Sequence, residues 1–231
     1  MAPELTAARK QNSALSSRAS DLERQLADSN RELAASMALA ASLQAGSGDK
    51  DKLAADLAAA RQRNAELESE LAALRGELSA EMAKLKEAQR GLIRALRPEI
   101  EKGDITVDLN NERLIINLAS GYLFSSGKDE LKPAGIDALK QVGAVLKDFP
   151  EYKVAVDGHT DNRPIQGALK KRFPTNKELS ESRAANAAKA LAEGGLGAAT
   201  THGYADTKPV EPNTTDAGRA KNRRVEIRVT K

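Results

Sequence analysis

The chain has 231 residues, 40% of them hydrophobic, 30% charged and 3% aromatic, with no Cys, no Trp and a formal net charge of +3. Without cysteine there are no disulfides, thiolate metal sites or Cys nucleophile, and so small a charge gives no ground for nucleic-acid binding. No run of about 18 uninterrupted apolar residues exists to span a bilayer as a helix, and Met1 to Lys10 carries no secretory signal pattern. A membrane tether would therefore belong to a longer form of the protein.

The composition is uneven along the chain. All three Phe and all three Tyr fall between Tyr122 and Tyr204, whereas residues 1–97 hold no aromatic residue and 24 Ala. This predicts an elongated helical stalk over 1–97, a linker over 98–104 and a compact domain over 105–231, the last of ordinary domain size.

The stalk reads as heptads. With Leu5 at position a, the a positions continue through Asn12, Ala19, Leu26, Leu33 and Ala40. The d positions are Ala8, Leu15, Leu22, Ser29, Ser36 and Leu43. After a break near 46–49 the pattern resumes, with a at Leu57, Asn64, Leu71, Leu78, Leu85 and Leu92, and d at Leu53, Ala60, Leu67, Leu74, Glu81 and Ala88. Alternating steps of three and four mark a coiled-coil seam, and an Asn at a favours one register in a two-stranded assembly. The Gly46-Ser47-Gly48 break leaves two paths, a rod with a loosened joint or a helical hairpin. Self-association of the stalk as a homodimer is the favoured expectation. The alternative is an amphipathic helix packed on its own domain.

Pro98 ends or kinks the helix. Ile105–Leu109 and Leu114–Leu118 then read as a hairpin turning at Asn110-Asn111. A helix opens at Pro133, and Tyr152–Val156 is a strand. Thr175 to Glu178 has capping-box spacing before a helix that runs to about Glu193 and stops at Gly194-Gly195. Thr200–Tyr204 and Arg224–Val229 complete a β-β-α-β-α-β-β order. The fold class is α+β, with helices on one side of a mixed sheet.

Four turn-rich segments stand where these elements end: LFSSGKDELKP from Leu123, VDGHTDNRPI from Val156, LSESRAAN from Leu179 and NRRVEI from Asn222. Together, in this order, they resemble the C-terminal domain shared by the outer-membrane protein OmpA, the lipoprotein Pal and the flagellar stator protein MotB. The long connection Arg163–Asn176 is closer to the MotB branch. The resemblance covers roughly residues 105–231. It implies non-covalent binding of peptidoglycan through the diaminopimelate of the stem peptide, in the periplasm, with no enzymatic activity and no cofactor or metal. By motif position, Asp161 would accept from the ligand's ammonium and Arg183 would grip its carboxylate with a planar fork. Phe124 would line the pocket with Ser125 and Ser126 at its rim, and Thr160, Leu179, Asn222 and Arg223 would be lesser contacts. The family often carries Asp where this chain has Ser125.

Other readings weigh less. His159, Asp161 and His202 could make a three-ligand metal site for hydrolysis, but only two His exist and neither has helical i, i+4 spacing. The Lys170-Lys171-Arg172 run lacks the interleaved aromatics of a nucleic-acid surface. A stator fragment lacking its membrane helix remains an alternative, as does a coiled-coil scaffold for which the globular domain is only a cap.

Overall fold

A computed structural model describes residues 2–43, 50–110, 113–125 and 127–231, with residues 2–14, 43, 50, 51 and 168 described in backbone only. The expected break at 46–49, Asn111 of the first hairpin turn, and Ser126 lie outside the described residues. The chain divides into two compact units, Ala7–Glu81 and Met82–Lys231, the latter grouped with Met1–Thr6.

The first unit is built from α1 (Ala2–Leu43) and the greater part of α2 (Lys50–Ala95). From Leu15 to Ala40 every a and d position is buried or half-buried and every intervening residue is exposed. The heptad assignment is thus the burial pattern of the helix. Asn64 is buried at its a position, where its Nδ2 donates to Asn30 Oδ1 at 2.6 Å. Arg18 reaches Glu70 at 2.5 Å, and Arg75 reaches Glu23 at 3.0 Å. In heptad terms these are g-to-g and e-to-e pairs, the flanking contacts of antiparallel helices, whereas parallel helices pair g with e. Of the two paths left open by the sequence, the described residues take the hairpin.

The seam changes role near the end of α2. Leu78, also an a position, is 42% exposed, but Leu85, Ala88, Leu92 and then Leu96 are buried in the core of the second unit. Each fully buried Leu of this kind contributes roughly 1.5–3 kcal/mol. The last turns of α2 are therefore core elements of the domain. The break that Pro98 imposes falls at Leu96, and Pro98 then opens a short helix, α3 (Arg97–Glu101).

The sheet contains β1 (Ile105–Asn110), β2 (Arg113–Ala119), β3 (Lys153–His159), β4 (Thr200–Gly203) and β5 (Arg224–Thr230), in the order β1-β2-β5-β3-β4. Only β3 and β4 run parallel; the other neighbours are antiparallel. Between the strands lie α4 (Ser120–Leu123), α5 (Pro133–Leu146), α6 (Ala168–Arg172), α7 (Asn176–Glu193) and α8 (Asp216–Asn222). The strand period of two sorts the side chains. Val154 and Val156 of β3, with Val225, Ile227 and Val229 of β5, enter a core shared with Leu139, Val142 and Leu146 of α5 and Ala184, Ala187 and Leu191 of α7. The alternate residues carry charge on the opposite face, where Arg228 pairs with Asp157 at 2.5 Å and Arg224 with Glu226 at 3.2 Å. This is the α+β arrangement expected from the sequence. The short helices α3, α4, α6 and α8 are additions to it.

α7 begins with the anticipated capping box. The Thr175 hydroxyl accepts from the Lys177 N–H, and the Glu178 carboxylate accepts from the Thr175 N–H at 2.9 Å. The helix then lies directly on β3, because Gly158 has no side chain to hold it off. A Cβ at Gly158 would stand 2.0 Å from the Ser180 carbonyl oxygen. Gly158→Ala is accordingly expected to destabilise the protein by about 2–3 kcal/mol in denaturant titration, whereas Gly121→Ala, with nothing within 4 Å of its added Cβ, should stay within about 0.5 kcal/mol of wild type.

Candidate functional site

The end of β3, the first turns of α7, the segment after α4 and the residue preceding β5 converge at one end of the sheet. Asp161 lies two residues beyond β3 and is 7% exposed. Its Oδ1 accepts from the Arg163 N–H at 3.1 Å, a local turn that fixes the carboxylate. Its Oδ2 accepts from Arg223 Nη1 at 2.5 Å. The Asp161 carbonyl takes the Thr160 hydroxyl at 2.9 Å and Asn176 Nδ2 at 3.2 Å, so Asn176 ties this turn to the start of α7.

Arg183 sits in the second turn of α7 and is also 7% exposed. Its Nε and Nη2 donate to the Lys128 carbonyl at 3.0 and 2.8 Å, and its guanidinium lies over the Phe124 ring, 5.0 Å from the centroid. No carboxylate touches it among the described residues. Burial pulls the guanidinium pKa down to about 10, with the charge of Arg223 adding to the effect and Asp129 and Asp161 opposing it through space. A cation shifted in that direction is one the fold has surrounded with too little negative charge.

Each sequence-predicted residue except Ser126, which lies outside the described residues, now has a place. Asp161, Arg183 and Arg223 form one electrostatic cluster. Phe124 is 2% exposed and serves as the shelf beneath Arg183. Ser125 is half-buried next to it, and its carbonyl accepts from the Lys128 N–H at 3.0 Å. Thr160 and Leu179 are buried beside the cluster in the β3 turn and the first turn of α7. Asn222 is turned elsewhere. Its Oδ1 accepts from the Val210 and Glu211 N–H groups, and its Nδ2 donates to the Glu211 carbonyl and Asn213 Oδ1. With two bonds accepted and two donated, its amide is saturated, so it holds the 210–213 loop and the root of Arg223.

Asp129 was missed. It is 2% exposed and gathers Ser182 Oγ at 2.6 Å and Arg172 Nη1 at 2.9 Å, while its carbonyl takes Asn186 Nδ2 at 2.8 Å. These contacts clamp the 128–129 dipeptide onto α7, which is what aims the Lys128 carbonyl at Arg183. An Asp inside KDELKP reads as a turn residue, and only the fold brings Ser182 and Asn186 onto it.

The two histidines belong to the other face of the sheet. His202 Nδ1 lies 3.4 Å from Asp157 Oδ1, and His159 stacks on Tyr204 with centroids 5.4 Å apart. Among the described residues no group of three or more His, Asp or Glu could hold a metal ion. Burial, followed by the charges of Arg224, Lys208 and Arg228, drives the His159 pKa down to about 3. The unfolded chain therefore takes up this proton near pH 6.5 and the native protein only near pH 3, so stability falls as pH drops through that window. His159→Phe, which keeps the stack on Tyr204, should flatten the acid limb of a stability–pH curve by up to about 1.4 kcal/mol per pH unit.

Comparison with known proteins places this geometry. Residues 123–223 match the OmpA family. The chain is 34% identical over 134 residues to the probable lipoprotein YiaD of Escherichia coli, covering 57% of this chain and 58% of that one. It is 36% identical over 116 residues to the peptidoglycan-binding protein ArfA of Mycobacterium tuberculosis, covering 48% of this chain and 33% of that one. The chain thus spans less than two thirds of either relative. Among solved structures, the cell wall anchor of the T6SS from Pseudomonas aeruginosa is 35% identical with a TM-score of 0.54, covering 60% of this chain and 96% of that one. With that chain matched almost end to end, and with Asp161, Arg183 and Arg223 drawn into one cluster by the four motifs, this protein belongs to the OmpA family.

Proposed function

We propose that this protein binds peptidoglycan non-covalently and anchors a helical envelope component to the cell wall from the periplasm. The observation that carries the proposal is the buried carboxylate of Asp161 and buried guanidinium of Arg183, held at one end of the sheet with the Arg223 guanidinium on Asp161. The free end of a diaminopimelate side chain bears an ammonium and a carboxylate on one carbon. Such a zwitterion needs an anion and a cation in fixed proximity. Asp161 receives the ammonium beside Arg223, and Arg183 receives the carboxylate through its planar donors. Ser125 and Thr160 stand at the margin of this site, and Leu179 and Phe124 supply its apolar support. The reading is one of binding, in line with the binding proteins it resembles. Likeness to a peptidoglycan-binding protein and to a cell wall anchor supports the same reading.

Retention on purified diaminopimelate-type peptidoglycan tests it. Wild type should sediment with the polymer, and Asp161→Ala and Arg183→Ala should each lower the bound fraction at least about tenfold. Equal retention of all three proteins would remove the pocket from the reading.

The helical unit is the spacer of this anchor. Its seam is filled within one chain, so a homodimer through the helices forms by exchanging α1 or α2 between two copies. Sedimentation of the full chain across micromolar concentrations should then show a slowly interconverting dimer. A strict monomer would eliminate the exchange.

A further inference from the structure

The Lys170-Lys171-Arg172 run has no nucleic-acid pattern, but it has a defined place in the fold. α6 lies against the loop that presents the Lys128 carbonyl to Arg183. Arg172 Nη1 reaches the buried Asp129 carboxylate at 2.9 Å and stands 4.0 Å from Glu130. A Cβ at Gly127 would be 3.9 Å from Leu169 Cδ2, so Leu169 packs beside that glycine. Gly127 at φ 70° and Gly167 at φ 63° supply the turns that set loop and helix together. Leu169 and Arg172, three residues apart, share the inner side of α6. Lys170 and Lys171 are thereby left on its outer side, and both are exposed, as is Lys128 on the apposed loop. None of these three ammonium groups has a hydrogen bond or ion pair among the described residues. The acids of the loop, Asp129 and Glu130, both face Arg172.

Three unpaired lysines therefore stand on one ridge, beside the residue whose carbonyl holds Arg183. Like charges gathered without counter-ions repel one another, and an arriving anion relieves that repulsion. The zwitterionic end of diaminopimelate cancels its own charge and leaves the ridge unanswered. The next residue of a peptide lies only about 4 Å along its chain. A carboxylate on either neighbour of the diaminopimelate thus comes within the span of a lysine side chain at the edge of the site.

We infer that this ridge of Lys128, Lys170 and Lys171 is a second anion site of the wall-binding surface, taking a free carboxylate that flanks the diaminopimelate in the same stem peptide. The inference rests on the peptidoglycan reading above. Lysine ammonium groups act here as hydrated point charges, so the contact is weak one by one and sensitive to salt.

The test combines Lys128→Gln, Lys170→Gln and Lys171→Gln in the full chain. These changes keep the Lys128 carbonyl and the Asp129–Arg172 pair. On peptidoglycan stripped of attached polymers, in about 0.05 M salt, the triple variant should bind about fivefold more weakly than wild type. In about 1 M salt, where charges are screened within about 3 Å, the two should bind alike. Equal binding at low salt overturns the inference. Calorimetry with three synthetic stem tetrapeptides then identifies the carboxylate: one with both flanking carboxylates free, one amidated at the glutamate and one amidated at the terminal alanine. One of the amides should weaken wild-type binding about threefold or more and leave the triple variant's binding unchanged. No loss with either amide, or the same loss in both proteins, also overturns the inference. Failure of wild type to bind both the stripped wall and all three peptides overturns the peptidoglycan reading itself.

Discussion

The contact between β3 and α7 sets the position of everything that bears on function. Gly158 lets the helix backbone rest on the strand, and Ser180, at that point of contact, donates its hydroxyl to the Lys177 carbonyl and accepts from the Ala205 N–H, which ties α7 to the turn after β4. Asp161 is carried by the strand and Arg183 by the helix. Any widening of this contact separates the two charges and lowers their interaction in a medium where distance counts heavily. The capping box at Thr175 and the Asn176 amide fix where the helix begins, and so fix its rotation about its own axis.

Around that contact, buried polar groups serve as clamps. Asp129 fastens one loop to α7, and Asn222 fastens another to the end of α8. Each clamp is nearly saturated, which makes it a positioning device with little capacity left for a ligand. Arg183 is the contrasting case, deep in the fold yet short of a counter-charge. Natural proteins accept such local cost at sites where a partner later supplies what is missing.

Much of this was legible in the sequence because it rests on period or on short-range chemistry. The heptads from Leu15 to Ala40 matched burial residue by residue, and Thr175 with Glu178 capped the helix they were expected to cap. The alternation of Val225, Ile227 and Val229 named the core face of β5. What could not be read depends on tertiary approach. The g-to-g pairing of Arg18 with Glu70 exists only once the helices have folded back, and a Gly-Ser-Gly break permits either path. The burial of Asp129, the Lys128 carbonyl beneath Arg183 and the Arg223 guanidinium on Asp161 are contacts across tens of residues. Motif position singled out the charged residues that the fold gathers at this end of the sheet but not which of them were already paired.

The edges of the sheet carry a further consequence. β4 at one edge is four residues long, and β1 at the other exposes Thr106 and Asp108, whose side chains hydrogen-bond to each other at 3.0 Å. A short strand and an edge with an outward acid are poor templates for another strand. On the proposed reading, a repeating wall polymer would gather many copies of such a domain side by side, at local concentrations far above those of dilute solution. Blunted at both edges, neighbouring domains could crowd on that lattice without zipping into a continuous sheet.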